Sequence, residues 1–479
     1  MNLKKHLKKQ LYINGEWVEG KRYTTLHSPY SQEVIGEIPT ATAAEVNAAI
    51  EAAFNSKELM AKMPAYQRAA ILDKLVCLFE VRREEAARII AMEAAKPIST
   101  AKGEVARTIQ TYKFAAEEAR RIHGETIPLD AAPGGENRIA YTVREPLGVI
   151  GAITPFNFPM NLVAHKVGPA IAAGNTIVLK PASQTPLSAF FLAELLEEAG
   201  LPAGALNVVT GSGKEVGEKL VEDERIKMIT FTGSPEVGIG IRNKAGLKRV
   251  TLELGSNSAL IVDSSVNLDK IIPRCVMGAF SFQGQVCISL QRIYVHETVF
   301  EEFVAKFVGA TAKLKIGDPL DPKTDVSALI TIADVERSLA WIKEAEEHGA
   351  EVVIGGKAEG AALLPTVLLN ADATLKVSCQ EVFAPIVVIN KIKTIEEAIE
   401  RVNDSRYGLQ AGIYTDNIHT ALNAVEKLQV GGVLINDIPT FRVDNMPYGG
   451  VKESGVGKEG IKYAVEEMTE QKLVIFNRN

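Results

Sequence analysis

The feature of this sequence that most constrains its fold is the regular alternation of short apolar segments with helical segments that begins at Gly148. The segments GVIGAIT, NTIVLKP, ALNVVTG and MITFTG each predict a strand, and helical patterns lie between them. Short apolar strands that alternate with helices are typical of a parallel sheet covered by helices on both faces. Ligands bind beyond the carboxyl ends of such strands, so the residues that follow each strand are the first candidates for function.

A second block of the same kind extends from residue 287 to about residue 440 and predicts a second α/β domain. Its strands are predicted at RIYVH, EVVIGG, LLPTVLL, PIVVINKI, AGIYTD and GGVLIND. Before both blocks, residues 41–124 predict successive helices, and the spacing of Thr42 and Glu45 predicts a capping box at the first of them. A chain of 479 residues is longer than one hydrophobic core usually supports, which agrees with two α/β domains.

Two further segments predict a small β unit. GETIPLD and RIAYTVREPLG are interpreted as two strands around the turn at residues 132–135, and the C-terminal QKLVIFNRN as another strand. That last strand is far in sequence from the first two. Because a terminal strand without a local partner often pairs with another chain, we expect a homo-oligomer, either a dimer or a tetramer.

The charge and hydropathy of the chain argue against several classes of partner. The net charge is −6, which disfavours a nucleic-acid partner, since nucleic-acid-binding proteins present a basic face. The one basic run, formed by Lys4, Lys5, Lys8 and Lys9, is interpreted as a solvated tail. No segment approaches the roughly 20 apolar residues that a membrane helix requires. We therefore expect a cytoplasmic protein that binds neither nucleic acid nor membrane.

The four cysteines are Cys77, Cys275, Cys287 and Cys379. None forms a C-x-x-C pair and no histidines cluster near them, so neither a metal site nor a disulfide framework is expected. Cys77 and Cys275 fall in helical patterns and are expected to pack. Cys287 lies in FQGQVCIS, directly before a strand-like segment. Its local sequence alone fits either a buried small residue or a nucleophile.

Polar residues follow the predicted strands at the points where a ligand would bind. Asn157 lies between two prolines and two phenylalanines, which suits either a rigidly held hydrogen-bond donor or a loop residue that satisfies its own backbone. Lys180 either binds a ribose or phosphate or faces solvent, and Ser234 opens a helix whose N–H groups suit phosphate oxygens. The glycine pattern that follows fails as a dinucleotide fingerprint at Asn243. Glu253 is unfavourable inside an apolar strand unless it has a partner or a function, such as that of a general base.

Seven motifs, taken together, resemble the aldehyde dehydrogenase superfamily in their order and separations. The motifs are PFNFP, LKPASQTPLSA, FTGSPEVG, LELGSNSALIV, FQGQVCIS, QEVFAPI and PYGGVKESGVGKEG. The resemblance spans nearly the whole chain, and it implies an α/β fold of two domains with parallel sheets and a small β arm. The implied units are a Rossmann-like cofactor domain (1–124 and 145–253, with part of 441–465), a catalytic domain (254–440) and an oligomerisation arm (125–144 and 466–479).

The resemblance implies an NAD(P)-dependent oxidation of an aldehyde to a carboxylic acid through a cysteine thiohemiacetal and a thioester. Cys287 matches the nucleophile, Asn157 the side-chain donor of the oxyanion hole and Glu253 the general base. Glu459 matches a second glutamate, a candidate proton relay. The residues that match cofactor contacts are Thr154, Pro155, Lys180, Ser183, Gly233, Ser234, Leu254, Glu381 and Phe383.

Three places depart from the family pattern. Ser183 stands where many strictly NAD-dependent members have a glutamate that would repel a 2′-phosphate, and Lys180 is available to pair with such a phosphate. Acceptance of NADP is therefore favoured, and NAD stays open as well. Ala384 replaces a common glycine, with only a small local effect expected unless its φ is positive. Ile288 and Ser289 follow the cysteine where small residues are common, which bears on the shape of the aldehyde pocket.

The substrate is less constrained than the reaction. Arg442 lies in the segment that helps to line the aldehyde entrance in the family, and with Arg107 it suits an anionic aldehyde. In the competing interpretation, Arg442 pairs with Asp444 or with an acid at an interface. The sequence resembles the lactaldehyde and succinate-semialdehyde branch, so lactaldehyde, succinic semialdehyde and a sulfo- or phospho-aldehyde all stay open.

Two other hypotheses about the activity are weighed against this one. A CoA-acylating dehydrogenase often lacks the deacylating glutamate, whereas Glu253 is present here. A non-enzymatic binding protein of the same fold would have a damaged set of catalytic residues, whereas Cys287, Asn157 and Glu381 are intact. Both hypotheses therefore rank below the hydrolytic dehydrogenase.

Overall fold

The first part of the chain forms four short strands and then four helices. The computed structural model describes residues 8–478, so Lys4 and Lys5 of the basic run lie outside the described residues. The elements are β1 (Leu11–Ile13), β2 (Glu16–Val18), β3 (Tyr23–His27), β4 (Val34–Pro39), α1 (Ala43–Lys62), α2 (Ala65–Val81), α3 (Arg83–Ala94) and α4 (Ile98–Ala119). The capping box is confirmed, because Thr42 and Glu45 each accept the backbone N–H of the other. The four strands were not predicted.

The alternation that begins after Gly148 is confirmed and builds the first sheet. The elements are β5 (Thr126–Ile127), β6 (Arg138–Pro146), β7 (Val149–Ile153), α5 (Asn161–Ala173), β8 (Thr176–Lys180), α6 (Leu187–Ala199), β9 (Leu206–Val208), α7 (Glu218–Glu222), β10 (Ile226–Thr232), α8 (Pro235–Lys244) and β11 (Arg249–Glu253). Five strands pair in parallel in the order β9-β8-β7-β10-β11. The strand order reverses beside β7, so a ligand cleft is expected between the carboxyl ends of β7 and β10.

A second sheet follows, and its strands lie where the second block predicted them. The elements are β12 (Ala259–Val262), α9 (Leu268–Phe280), β13 (Arg292–His296), α10 (Phe300–Thr311), α11 (Ile332–Glu347), β14 (Glu351–Ile354), β15 (Ala358–Glu359), β16 (Ala362–Leu363), β17 (Thr366–Leu369), α12 (Lys376–Cys379), β18 (Ile386–Ile392), α13 (Ile395–Asn403), β19 (Tyr407–Gly408), β20 (Gln410–Tyr414), α14 (Ile418–Lys427) and β21 (Gly432–Ile435). The order is β14-β17-β18-β13-β12-β20-β21, and only β14 is antiparallel to its neighbour.

The last elements return to the first sheet and to the small β unit. They are β22 (Val451–Lys452), β23 (Gly455–Val456), α15 (Ile461–Glu467) and β24 (Thr469–Asn477). Strand β23 pairs with β11 at the edge of the first sheet. Strand β24 pairs antiparallel with β6 along its whole length. The premise that the terminal strand lacks a partner in its own chain is therefore wrong.

The hairpin predicted around residues 132–135 is also shorter than expected. Its first strand is only the two residues of β5, because Leu129–Ala131 turns into a 3₁₀ helix. The three-stranded unit β24-β6-β5 carries exposed apolar side chains on both of its faces. These are Ile139, Tyr141, Leu473, Ile475 and Phe476.

Each of the two main sheets has its own hydrophobic cores. The two cysteines that were expected to pack differ in their burial. Cys275 is buried on α9 in a core of the second sheet, as expected. Cys77 is exposed on α2, so the expectation that it packs is wrong. No helix within residues 8–478 has both the length and the apolarity needed to cross a bilayer. The exact limits of the domains stay a prediction.

Candidate active site

The carboxyl ends of neighbouring strands bring the predicted polar residues to one edge of the first sheet. Lys180, the last residue of β8, is aligned with Ile153, the last residue of β7. Thr232, the last residue of β10, is aligned in the same way with Glu253 at the end of β11. Asn157 lies in the loop that leaves β7. The alternation of strands and helices thus explains why residues so distant in sequence share one cleft.

Cys287 reaches the cleft on a backbone held in an unusual conformation. Phe282, Gln283 and Gly284 precede it with consecutive φ values of +48°, +55° and +67°. Non-glycine residues adopt this region only when their surroundings hold them there, at a cost of about 1–3 kcal/mol each. The amide of Gln283 donates to two backbone carbonyls, at 2.9 and 2.8 Å. A Cβ on Gly284 would lie 2.2 Å from the carbonyl oxygen of Ala384, so this position requires glycine.

The thiol of Cys287 faces a tyrosine and an arginine. Its Sγ atom lies 2.9 Å from the hydroxyl oxygen of Tyr448. The guanidinium of Arg442 lies over the Tyr448 ring, 3.6 Å from its centroid. Desolvation raises the pKa of Cys287 to about 11, although the Tyr448 hydrogen bond and the Arg442 charge act in the opposite direction. Tyr448 belongs to the PYGG motif, but no role was predicted for it from the sequence.

The loop that carries Asn157 is held by a buried lysine that the sequence analysis missed. Lys96 donates to the backbone carbonyl of Asn157 at 2.6 Å and forms a buried ion pair with Glu104. Its ammonium lies 3.7 Å from the ring centroid of Phe158 and 4.2 Å from that of Phe282. Lys96 therefore connects the Asn157 loop with the cysteine loop. The side-chain amide of Asn157 is buried and makes no hydrogen bond within residues 8–478.

Glu253 is a buried carboxyl group that has no hydrogen-bond partner in the part of the chain that the structure describes. Burial, and then the charge of Glu459, raises its pKa well above the usual value. A Cβ on Gly449 would lie 3.0 Å from its Oε1 atom, so a larger residue there would press on the carboxyl group. The same burial therefore favours the protonated form of Glu253 over the ionised form.

Glu459 sits between two buried cations beside Glu253. Its carboxylate is 2.8 Å from Lys166 Nζ and 2.9 Å from an Arg442 guanidinium nitrogen. Lys166 also donates to Thr232 at the end of β10, at 2.8 Å. Burial opposes ionisation, but Lys166 and Arg442 together lower the pKa of Glu459. Lys166 and Arg442 thus share the single carboxylate of Glu459, so these three groups together carry one net positive charge.

The two arginines proposed for substrate binding differ in their surroundings. Arg442 is only 5% exposed and bonds Glu459 instead of Asp444, so the competing interpretation named the wrong carboxylate. Its Nε has no partner among the described residues. Arg107 is 30% exposed and pairs with Asp444 at 2.7 Å. Asp444 also accepts from His165 at 2.9 Å and from Asn161 at 3.0 Å, which lowers its pKa despite burial.

Two residues from the loop before β18 face the same cleft from the second sheet. The carboxylate of Glu381 accepts the backbone N–H of Ser256 at 3.0 Å, and burial raises its pKa to about 7. A Cβ on Gly255 would lie 2.8 Å from Glu381 Oε2, which explains the glycine. Phe383 has a φ of +50° and packs its ring edge-to-face with Phe156, 5.7 Å between centroids. Glu381 and Phe383 are therefore held in fixed positions.

The residues predicted for the adenosine half of the cofactor lie at the ends of β8 and β10. Lys180 is buried, and its ammonium donates only to the carbonyl of Pro181, at 3.3 Å, within the described residues. Burial lowers the pKa of Lys180 to about 8. Ser183 is exposed, and Ser234 caps the N-terminus of α8. A buried ammonium with a single neutral acceptor keeps donors for ribose or phosphate oxygens, so this site fits a dinucleotide.

The other residues predicted for the cofactor line the strand ends, with their backbone donors already used. Gly233 donates its N–H to the carbonyl at the end of β11 at 3.0 Å, and Leu254 to a carbonyl between β22 and β23 at 2.9 Å. Thr154 is buried and its hydroxyl has no partner among residues 8–478, while Pro155 is half-buried. Ala384 has no positive φ, which agrees with the small effect expected of it.

A cysteine thiol beside the carboxyl edge of a Rossmann-like sheet is typical of dinucleotide-dependent enzymes that work through a covalent intermediate. The particular family follows from comparison with known sequences. The model of the Aldehyde dehydrogenase family matches residues 17–474. The chain belongs to this family, as the seven motifs predicted.

Curated relatives narrow the chemistry to small aldehydes. The chain is 50% identical over 467 residues to 3-sulfolactaldehyde dehydrogenase of Priestia aryabhattai, which covers 98% of each chain. It is 42% identical over 472 residues to lactaldehyde dehydrogenase of Methanococcus aeolicus, covering 98% of this chain and 100% of that one. These relatives do not favour the CoA-acylating or non-enzymatic alternatives.

Solved structures agree in fold and cofactor class. The chain resembles aldehyde dehydrogenase 21 of Physcomitrella patens in complex with the reaction product succinate, with a TM-score of 0.97, 40% identity and 99% of each chain covered. It also resembles glyceraldehyde-3-phosphate dehydrogenase GapN of Methanocaldococcus jannaschii complexed with NADP, with a TM-score of 0.92, 41% identity, and 95% and 100% coverage. The chain is an NAD- or NADP-dependent aldehyde dehydrogenase that oxidises a small aldehyde.

Proposed function

We propose that this enzyme oxidises a small anionic aldehyde, such as 3-sulfolactaldehyde, with Cys287 as the nucleophile. The anionic preference rests on the surroundings of Arg442. Its guanidinium is buried, lies against the tyrosine that contacts Cys287, and keeps an unpartnered Nε within the described residues. A buried donor without an acceptor is unfavourable until a ligand supplies one.

In the first step the Cys287 thiolate bonds to the aldehyde carbon, and the C=O electron pair moves onto oxygen. The side-chain amide of Asn157, which has no other partner among the described residues, and the Cys287 backbone N–H donate to this oxyanion. One good donor of this kind contributes about 3 kcal/mol to the transition state. Lys96 keeps the Asn157 loop in position for this contact.

A bound nicotinamide cofactor would supply the acceptor for the hydride of the substrate carbon, and Cys287 would then hold the acyl group as a thioester. Glu253, once ionised, takes a proton from water, which attacks the thioester carbon and releases the acid and the thiolate. Glu459 stabilises the neighbouring cations and is the candidate acceptor for the proton passed on by Glu253. The raised pKa of Glu253 makes it a stronger base when it is ionised.

For cofactor binding, we assign Lys180 and Ser234 to the adenosine and phosphate half, and Glu381 and Phe383 to the nicotinamide ribose and ring. The buried, weakly partnered ammonium of Lys180 supports the first assignment. Ser183 presents no carboxylate that would repel a 2′-phosphate, which supports the use of NADP. Thr154, Pro155, Gly233 and Leu254 line the cleft and contribute its shape.

The anionic preference is supported by the names of three of the four proteins compared. A sulfonate, a carboxylate and a phosphate occur in their substrates or product, whereas lactaldehyde is neutral. The net positive charge of Lys166, Arg442 and Glu459 would favour any of these anions near Cys287. Arg107 is the weaker candidate because Asp444 already neutralises it.

The test compares 3-sulfolactaldehyde with lactaldehyde, two substrates that differ only by the sulfonate. The wild-type enzyme is expected to prefer the sulfonate by about tenfold or more in kcat/KM, since a charge-assisted hydrogen bond contributes roughly 1.5–3 kcal/mol. In Arg442→Met this preference disappears even if the absolute rates fall. Arg107→Met serves as the matched control and retains the preference. Equal kcat/KM values for the two aldehydes in the wild type would contradict the proposed preference for an anionic aldehyde.

We also infer that the arm formed by residues 125–144 and 466–479 joins copies of this chain into a dimer or tetramer in the cytoplasm. The exposed apolar side chains along β6 and β24 support this inference. Four free thiols suit a reducing compartment. Light scattering on the wild type and on Ile475→Asp would test the assembly, and an unchanged mass would contradict it.

A further inference from the structure

The hydroxyl group of Tyr448 is hydrogen-bonded to the sulfur of Cys287. The two atoms are 2.9 Å apart, and this is the only hydrogen bond of that hydroxyl within the described residues. The Tyr448 side chain is 2% exposed, so water does not compete for the contact. A phenol at this place is a donor that a phenylalanine of the same shape would lack.

The ring of Tyr448 lies under a cation that is itself fixed. Arg442 is 3.6 Å from the ring centroid, and its guanidinium is anchored to Glu459 at 2.9 Å. A cation over an aromatic face draws electron density from the ring, which makes a phenol O–H a better donor. The charged or titratable groups that act on Cys287 and Tyr448 from the surrounding elements are Arg442, Glu253 and Glu381. Arg442 is the only cation among these three.

We propose that Tyr448 is a catalytic residue whose hydroxyl donates to the Cys287 thiolate, with Arg442 polarising the phenol from its position over the ring. This inference rests on the proposed role of Cys287 as nucleophile. It adds to that role a group that stabilises the ionised sulfur in a buried, otherwise unfavourable place.

The proposed contact changes through the reaction without a new covalent bond to Tyr448. The thiol proton leaves to water, while the phenol keeps its own proton and donates it to the sulfur anion. When sulfur bonds to the aldehyde carbon, the negative charge passes to the aldehyde oxygen and the hydrogen bond weakens. When the thioester is hydrolysed, sulfur leaves as an anion and regains the donor. Tyr448 thus favours both the formation and the departure of the thiolate.

The test measures the pKa of Cys287 in the free enzyme, without aldehyde or cofactor, from the pH dependence of alkylation by iodoacetamide. In Tyr448→Phe we expect this pKa to rise by about one unit. The thiolate fraction at neutral pH then falls about tenfold and the more basic thiolate recovers about threefold in reactivity, so that alkylation slows roughly three- to fourfold. Tyr112→Phe is the matched control, because it removes a buried hydroxyl that has no partner among the described residues.

Cys287→Ser identifies the reporting thiol, since Cys77 and Cys379 also react. A second measurement removes the cation: Arg442→Met is expected to raise the Cys287 pKa in the wild-type background and to have less effect in Tyr448→Phe. That non-additivity shows that the arginine acts through the phenol.

The outcomes separate this inference from the proposed function. If Cys287→Ser abolishes oxidation and Tyr448→Phe leaves the Cys287 alkylation profile unchanged with a native circular dichroism spectrum, Tyr448 has only a packing role and the inference fails alone. If Cys287→Ser retains activity, the proposed function fails as well. A raised pKa in Tyr448→Phe, absent in Tyr112→Phe, supports the inference.

Discussion

Two buried lysine–glutamate pairs lie near Cys287, and they differ in whether the glutamate is shared with a second cation. Lys96 contacts Glu104, a backbone carbonyl and two aromatic rings. Lys166 contacts Glu459 and Thr232, but Glu459 is shared with Arg442, whose Nε has no partner among residues 8–478.

The difference indicates two roles for a buried lysine–glutamate pair. A fully satisfied pair is rigid, and Lys96 uses this rigidity to hold two loops that carry reacting groups. The second pair shares its glutamate with Arg442, whose unpartnered Nε is unfavourable until a ligand accepts its hydrogen bond. We therefore expect loss of Lys96 to lower mainly the free energy of unfolding. Loss of Lys166 should instead change mainly the electrostatic environment of Glu253.

The largest effect is expected for Lys96→Met. This change leaves the Glu104 carboxylate buried without its cation, which in other proteins lowers the free energy of unfolding by about 3–5 kcal/mol. Urea denaturation would measure it. Lys102→Met, which breaks an exposed pair between α4 and Glu84 on α3, is the control and should change stability by less than about 1 kcal/mol. Equal losses of unfolding free energy in the two variants would mean that the buried Lys96–Glu104 pair stabilises the fold no more than the exposed pair does.

A smaller loss of stability, about 1–3 kcal/mol, is expected for Lys166→Met, because Arg442 still neutralises Glu459. The functional effect is a shift with pH. Lys166 lowers the pKa of Glu253, so its removal raises that pKa further. In the proposed mechanism, thioester hydrolysis requires ionised Glu253 and increases as pH rises through its pKa. The rising limb of the kcat profile should therefore move to higher pH, and a limb that stays in place would exclude Glu253 as the group that titrates.

Of the four residues in these two pairs, only Glu459 was predicted from the sequence, although other residues of the cleft were found. Asn157, Lys180 and Glu253 were found because each follows or ends an apolar strand, where a polar residue stands out. Lys96 was not found because its target carbonyl is 61 residues away and the contact depends on how α4 packs on α5.

The partner of Arg442 is a second contact that the local sequence does not predict. Asp444 is the nearest acid in sequence, yet three donors from α4 and α5 occupy it, and Arg442 turns to Glu459 instead. The pairing of β24 with β6 likewise joins segments more than 300 residues apart, and local patterns do not specify such a register.

A third buried lysine extends the comparison and gives the smallest predicted effect. Lys180 has no carboxylate partner in the described part of the chain, so its charge is available to a cofactor phosphate. In Ser183→Glu, a carboxylate next to this ammonium would compete with the 2′-phosphate of NADP and accept a hydrogen bond from the ribose of NAD. We expect the ratio of kcat/KM for NADP to that for NAD to fall about tenfold, which corresponds to roughly 1.4 kcal/mol.

Ser183→Gln, which has nearly the same size without the charge, separates repulsion from steric exclusion. If both variants lower the NADP to NAD ratio equally, the pocket discriminates by volume and the charge of Lys180 is not what selects the phosphate. If only Ser183→Glu lowers it, Lys180 differs from Lys96 and Lys166 in that its counter-ion comes with the cofactor.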